Sequence, residues 1–166
     1  MGDVFVYRID TEDGLRDVVS LMDHDWLSAH GEMPSEAILG AFPRPPGSGD
    51  DISPETFQEN PDFTRFLQEV IAQHIGGVGF LVEAAAGQDG AQLYLVDGRA
   101  QRPADGEPAL HDVIGMVAVR SGRLVPSSYQ PNPAHRLFTD DGFLDLPPDL
   151  EAVLRREIEA VTRPAT

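Results

Sequence analysis

From Phe63 to Ile75 the chain repeats its apolar residues every three to four positions, and after Gly76-Gly77 that period stops. Phe63, Phe66, Leu67, Val70, Ile71 and Ile75 share one helical face. Asn60-Pro61 supplies a start signal and the glycine pair a stop. Downstream, the runs 78–83, 92–96 and 113–119 are short, β-branched and bounded by turn residues, which predicts strands. Gly87-Gln88-Asp89-Gly90 and Ser121-Gly122 are hairpin signals, and the second leads into Arg123-Leu124-Val125. A helix followed by strands joined through hairpins implies α+β organisation, because alternating α/β folds need a crossover between successive strands.

The flanking segments extend this plan. Val4 to Ile9 reads as a strand. Asp10 or Thr11 then caps a helix with Glu12 and Asp13 in its first turn and Leu15, Val18, Val19 and Met22 on one stripe, continued by Trp26 and Leu27. Pro34 opens a shorter helix to Phe42. Ser53-Pro54-Glu55 starts a helical turn. Residues 126–146 read as irregular and polar. Pro148-Asp149 opens a last helix with Leu150, Val153, Leu154, Ile158 and Val161 on one face. The expectation is one α+β domain over residues 1–166. An antiparallel β-meander of about four to five strands packs against a long central helix and a C-terminal helix, with a Pro/Gly-rich loop at 43–52. A chain of 166 residues is long enough to bury a core.

Composition removes chemistry rather than naming it. The chain has no lysine and no cysteine, and all 12 basic residues are arginine against 28 acids, for a formal net charge of −16. Schiff-base lysines, phosphate-loop lysines, thiolate nucleophiles, disulfides and thiolate metal sites are excluded. The acids are unevenly spread. Residues 1–62 hold 14 acids and 3 arginines, net −11, whereas residues 63–166 hold 14 acids and 9 arginines, net −5. Such asymmetry marks a surface for a basic protein partner, and it argues against direct binding to nucleic acid. No apolar run reaches the roughly 18–20 residues of a membrane span. Met1-Gly2-Asp3 lacks a signal-peptide pattern, so a cytoplasmic location is expected.

Three groups of side chains could carry chemistry. Asp23, His24 and His30 offer metal-ligand types, but their spacing does not converge on one helical face, so no metal is expected there. Ser127 to Arg136 follows a strand and concentrates polar groups. Within it Tyr129, Gln130, Asn132 and Arg136 are candidate ligand-binding residues, and His135 and Tyr129 are the groups an enzyme would use. Arg120 and Arg123, with Arg99, Arg102 and Arg136, could line one face and hold an anion. His111-Asp112 could be an oriented imidazole at a strand start. No nucleophile elbow, dinucleotide loop, calcium loop or catalytic-triad spacing is present. A strand followed by a capped helix resembles the start of the acyl-CoA N-acetyltransferase fold. That fold needs a basic, glycine-rich pyrophosphate loop where this chain has Arg120-Ser121-Gly122-Arg123, so the chain is not assigned to it.

The leading expectation is a non-enzymatic protein-binding domain of inhibitor, immunity or adaptor type, with no cofactor and with its acidic first third facing a basic partner. One alternative is a small enzyme or small-molecule-binding protein using residues 127–136. Another is that the acidity reflects only salt or genome adaptation. Association into a homodimer through an apolar face is compatible with the pattern.

Overall fold

A computed structural model describes residues 4–12, 14–44, 53–100 and 106–162. In chain order the elements are β1 (Phe5–Thr11), β2 (Gly14–Ser20), α1 (His24–His30), β3 (Ile38–Arg44), β4 (Gln58–Glu59) and α2 (Pro61–His74). They continue with α3 (Gly79–Ala85), β5 (Gln92–Val96), β6 (Val113–Arg120), β7 (Arg123–Pro131), β8 (Phe138–Thr139), β9 (Gly142–Phe143) and α4 (Pro148–Thr162). The class is α+β, with antiparallel sheets of four, three and two strands. The chain divides into two compact units. The first comprises Gly2–Leu67, Leu137–Phe143 and Arg155–Thr166, and the second is built from Gln68–Arg136 and Leu144–Leu154. No described helix is long and apolar enough to cross a membrane.

The first unit holds the meander β1-β2-β3-β4. Thr11 pairs with Gly14, whose φ of 115° suits glycine in this tight reversal. The helix expected from Asp10 onward is therefore strand β2. Asp17, Val18, Val19 and Ser20 are all buried in succession. A strand covered on both faces loses its alternation, and its apolar spacing then imitates a helical stripe. The resemblance to the acetyltransferase start disappears with that helix. The segment from Pro34 is likewise a correction: a 3-10 turn at Ser35–Ala37 passes directly into β3, which runs through Phe42, Pro43 and Arg44. Residues 45–52 of the expected loop lie outside the described residues. Gly40 is required where β3 meets β4, because a Cβ there would stand 2.2 Å from the Gln58 carbonyl oxygen.

At the β2–β3 bulge, Val19 pairs with Gly40 and Ser20 with Ile38. The buried Ser20 hydroxyl resolves the disrupted ladder by donating to the Ala37 carbonyl (2.9 Å) and accepting from the Met22 amide (3.0 Å). Asn60 ties the following connection together, donating through Nδ2 to the carbonyls of Ser35 and Ile38, each at 2.9 Å. Phe42, Phe57, Phe138 and Phe143 form an aromatic cluster. Phe138 and Phe143 face each other across β8–β9 with centroids 4.1 Å apart, and the Phe57 centroid is 5.0–5.8 Å from the other three rings. Such ring pairs each contribute about 0.5–1.5 kcal/mol beyond their burial.

The second unit holds the meander β5-β6-β7. The expected strand at 78–83 is α3. Leu81 and Ala85 are its buried residues and Val78 just before it is buried too, a helical spacing, and the alanines at 84–86 favour helix over strand. The Ser121-Gly122 turn is as expected, with φ of 50° and 77°. Strand β7 does not stop at Val125 but continues to Pro131, and with the β8–β9 hairpin that follows it about half of the segment expected to be irregular is strand. Val125 pairs with Ala118 and Gln130 with Met116, so five steps along β7 match two along β6. Ser128 repairs this wide bulge: its Oγ accepts from the Ala118 amide at 2.8 Å and donates to the Val125 carbonyl.

Candidate functional site

Strand β5 ends at Val96 on Asp97, and four side chains gather there out of reach of solvent. The Asp97, Arg99, Asp112 and His135 side chains are 0 %, 3 %, 2 % and 5 % exposed. Asp97 Oδ1 accepts from the amides of Arg99 (3.2 Å) and Asp145 (2.8 Å), and Oδ2 accepts from His135 Nε2 (3.1 Å). Arg99 Nε lies 3.1 Å from Asp112 Oδ1 and 3.6 Å from Asp97 Oδ2. Its Nη2 donates to the backbone carbonyls of His111 and Arg136. Each carboxylate and the guanidinium therefore find charge-assisted partners, which burial of such groups demands.

The backbone explains why these residues meet. Asp97 N donates to Asp112 O (2.7 Å), Gly98 N to Asp145 O (2.8 Å), and Arg136 N to His111 O (3.1 Å). Gly98 cannot carry a side chain, since a Cβ would stand 2.7 Å from Asp145 Oδ2 and 3.1 Å from its carbonyl oxygen. Asn132 fixes the segment that delivers His135. Its Nδ2 donates to the carbonyls of Leu110 and Val113 (2.8 Å each), and its Oδ1 accepts from Ala134 N.

Beside this cluster opens a cleft of about 450 Å³. Tyr94 and Val96 of β5 form one wall, Phe80 of α3 and Leu146 to Pro148 close it, and Asp97, Gly98 and Asp145 contribute its polar side. Tyr94 and Phe80 are 51 % and 47 % exposed, so both rings are available to a ligand. No arginine or histidine is among the described lining residues.

The sequence-derived candidates do not gather at this cleft. His135 is buried in the ionic cluster with its ring oriented by Asp97. Asn132 is committed to backbone carbonyls. Tyr129 lies across Gly115, whose absent Cβ would stand 2.4 Å from the phenol oxygen, and donates to Gln68 Oε1 (2.5 Å). Burial pushes the Tyr129 phenol well above its ordinary value. Gln130 and Arg136 are exposed. Arg120 and Arg123 pair at the turn end of the β6–β7 hairpin, the opposite end from His135 and Arg136. The five arginines do not share one anion-binding face, because the Arg99 side chain is interior; Arg102 lies outside the described residues. His111 Nε2 stands 3.7 Å from Asp112 Oδ2, making it the half-exposed rim of the cluster.

In the first unit, Asp23 caps α1 by accepting from Trp26 N (2.8 Å), His24 meets the Tyr7 ring edge-on, and His30 stacks on Trp26 with Nδ1 2.8 Å from the Trp26 carbonyl. These three are occupied separately, and no group of metal-ligating side chains is assembled among the described residues. Trp26 is only half-buried and α1 contains no buried residue, contrary to the core role expected for it.

Asp97, Asp145, Phe80 and Tyr94 are the site residues that sequence reasoning missed. The one available signal was Asp97-Gly98 directly after a strand, which marks a turn but not a site. No known protein family, curated protein or solved structure matches the chain.

Proposed function

We propose that the protein is a non-enzymatic binding protein whose cleft receives a cationic side chain, arginine or lysine, from a basic protein partner. The observation that carries this reading is the cleft's lining: two half-exposed aromatic rings, a carboxylate at Asp145 and, among the described residues, no basic side chain. An aromatic face attracts a cation by about 0.5–1 kcal/mol when exposed and about 2 kcal/mol when water is excluded. A carboxylate has acceptor sites for more than one donor, so Asp145 serves such a guest alongside its own contacts. The net charge of −16, weighted toward residues 1–62, supports faster association with a positively charged protein. Neither His135 nor Tyr129 lines the cleft, so the reading assigns it recognition rather than acid–base chemistry.

Amide shift mapping during a titration with arginine amide tests this. Shifts at Tyr94, Val96 and Asp145 that vanish in Tyr94→Ala are the expected result. Shifts spread evenly over the acidic surface, or none at the cleft, would refute it.

A further inference from the structure

We infer that the cleft's partner binds as an extended strand along β5, adding a fourth strand to the second unit's sheet. The inference rests on the cationic reading above and supplies its geometry. Strand β5 is an edge of the order β5-β6-β7. The Ala91 carbonyl accepts from Val119 N and the Asp97 amide donates to Asp112 O, so the odd-numbered positions face β6. The N–H and C=O groups of Gln92, Tyr94 and Val96 therefore face away from β6. No described segment pairs with them.

Proteins ordinarily protect such edges with charges, prolines, bulges or brevity. The other edges here show those devices. Strand β1 carries Arg8 and Asp10, β4 is two residues long, and β7 has Pro126, Pro131 and the wide bulge. Strand β5, Gln92-Leu93-Tyr94-Leu95-Val96, has no charge and no proline, and its irregularity with β6 leaves its own alternation intact. The bond from Gly98 N to Asp145 O begins a pairing along the same edge. Pro147 and Pro148 cannot continue it, because they have no N–H to donate. The cleft opens between that abandoned edge and these prolines.

A guest strand beside β5 places alternate side chains about 4.5–5.5 Å from Tyr94 and Val96, over the cleft. A basic residue there meets the rings and Asp145 while the guest's backbone satisfies β5. Charge selects the occupant. Two copies of this chain, each at −16, repel, whereas an arginine-bearing segment is attracted.

The test compares three probes on the intact protein: arginine amide, a decapeptide of alternating threonine and arginine, and that decapeptide N-methylated at every second residue. The decapeptide should bind at least tenfold more tightly than arginine amide and slow hydrogen exchange at Gln92, Tyr94 and Val96. N-methylation or Gln92→Pro, which removes an outward-facing N–H of β5 at a position that does not line the cleft, should remove that gain while the arginine amide response at the cleft persists. Equal binding of the methylated peptide, or unchanged exchange at the three amides, overturns strand addition alone. Failure of all three probes at the cleft overturns both readings. A protein that is already a dimer, and becomes monomeric on Gln92→Pro, shows instead that a second copy occupies the edge.

Discussion

The four phenylalanines of the first unit and the four ionisable groups of the second perform one task by opposite physics. Phe42, Phe57, Phe138 and Phe143 hold a short hairpin and a loop through dispersion and burial. Asp97, Arg99, Asp112 and His135 hold four irregular segments through charge and directed hydrogen bonds. The apolar cluster depends on volume, so it degrades gradually. The ionic cluster depends on balance, so loss of one member leaves another charge buried without compensation.

The largest test of this contrast is Arg99→Met. It strands two buried carboxylates and should cost about 3–5 kcal/mol, read as a lowered urea midpoint. A cost below about 1 kcal/mol would mean the cluster is solvated and the contrast false. Next is Phe42→Leu, at a residue 2 % exposed, which removes the ring pairs with Phe57 and Phe138 and should cost about 1–3 kcal/mol. If it proves as damaging as Arg99→Met, the aromatic cluster is as intolerant as the ionic one. The smallest effect belongs to Tyr129→Phe, which removes the bond to Gln68 and should cost about 1 kcal/mol at neutral pH.

Tyr129 also gives a pH signature. Its phenol is raised in the fold by burial, so the folded chain holds the proton more tightly than the unfolded one. That contribution is present below about pH 10, where the unfolded phenol is also protonated, and is lost as pH rises beyond it. The parent should lose more stability between pH 8 and pH 11 than Tyr129→Phe, as measured by denaturant titration at the two values. Equal losses would show that the phenol ionises freely in the folded protein.

The parts of the fold legible in the sequence were those with one wet face. Helices α2 and α4 present a full apolar stripe against a polar one, and β6 ends in a turn whose residues demand positive φ. Strand β2 was misread because both of its faces are covered, and α3 because a short apolar run carries no period of its own. The site was less legible for a related reason. Asp97, Arg99 and Asp112 look like surface residues in a chain rich in acids, and only tertiary pairing across 13 to 38 positions makes them interior. His135 and Asn132 were singled out from their segment, yet their partners decide their roles: an oriented imidazole inside the cluster and a clasp on two carbonyls. Asn60 does the same work in the first unit and gave no signal beyond the dipeptide Asn60-Pro61.

Neither unit is a continuous stretch of the chain, since residues 137–143 and 155–166 belong with the first and 144–154 with the second. Heredity therefore cannot handle them as separate cassettes. A recombination crossover at any single point divides at least one of the two, and the shortest continuous fragment that encodes the second unit, residues 68–154, carries the β8–β9 hairpin of the first with it. Any lineage that borrows the β5 edge as one stretch therefore also takes Phe138 and Phe143, and leaves the aromatic-clustered unit behind without half of its ring cluster.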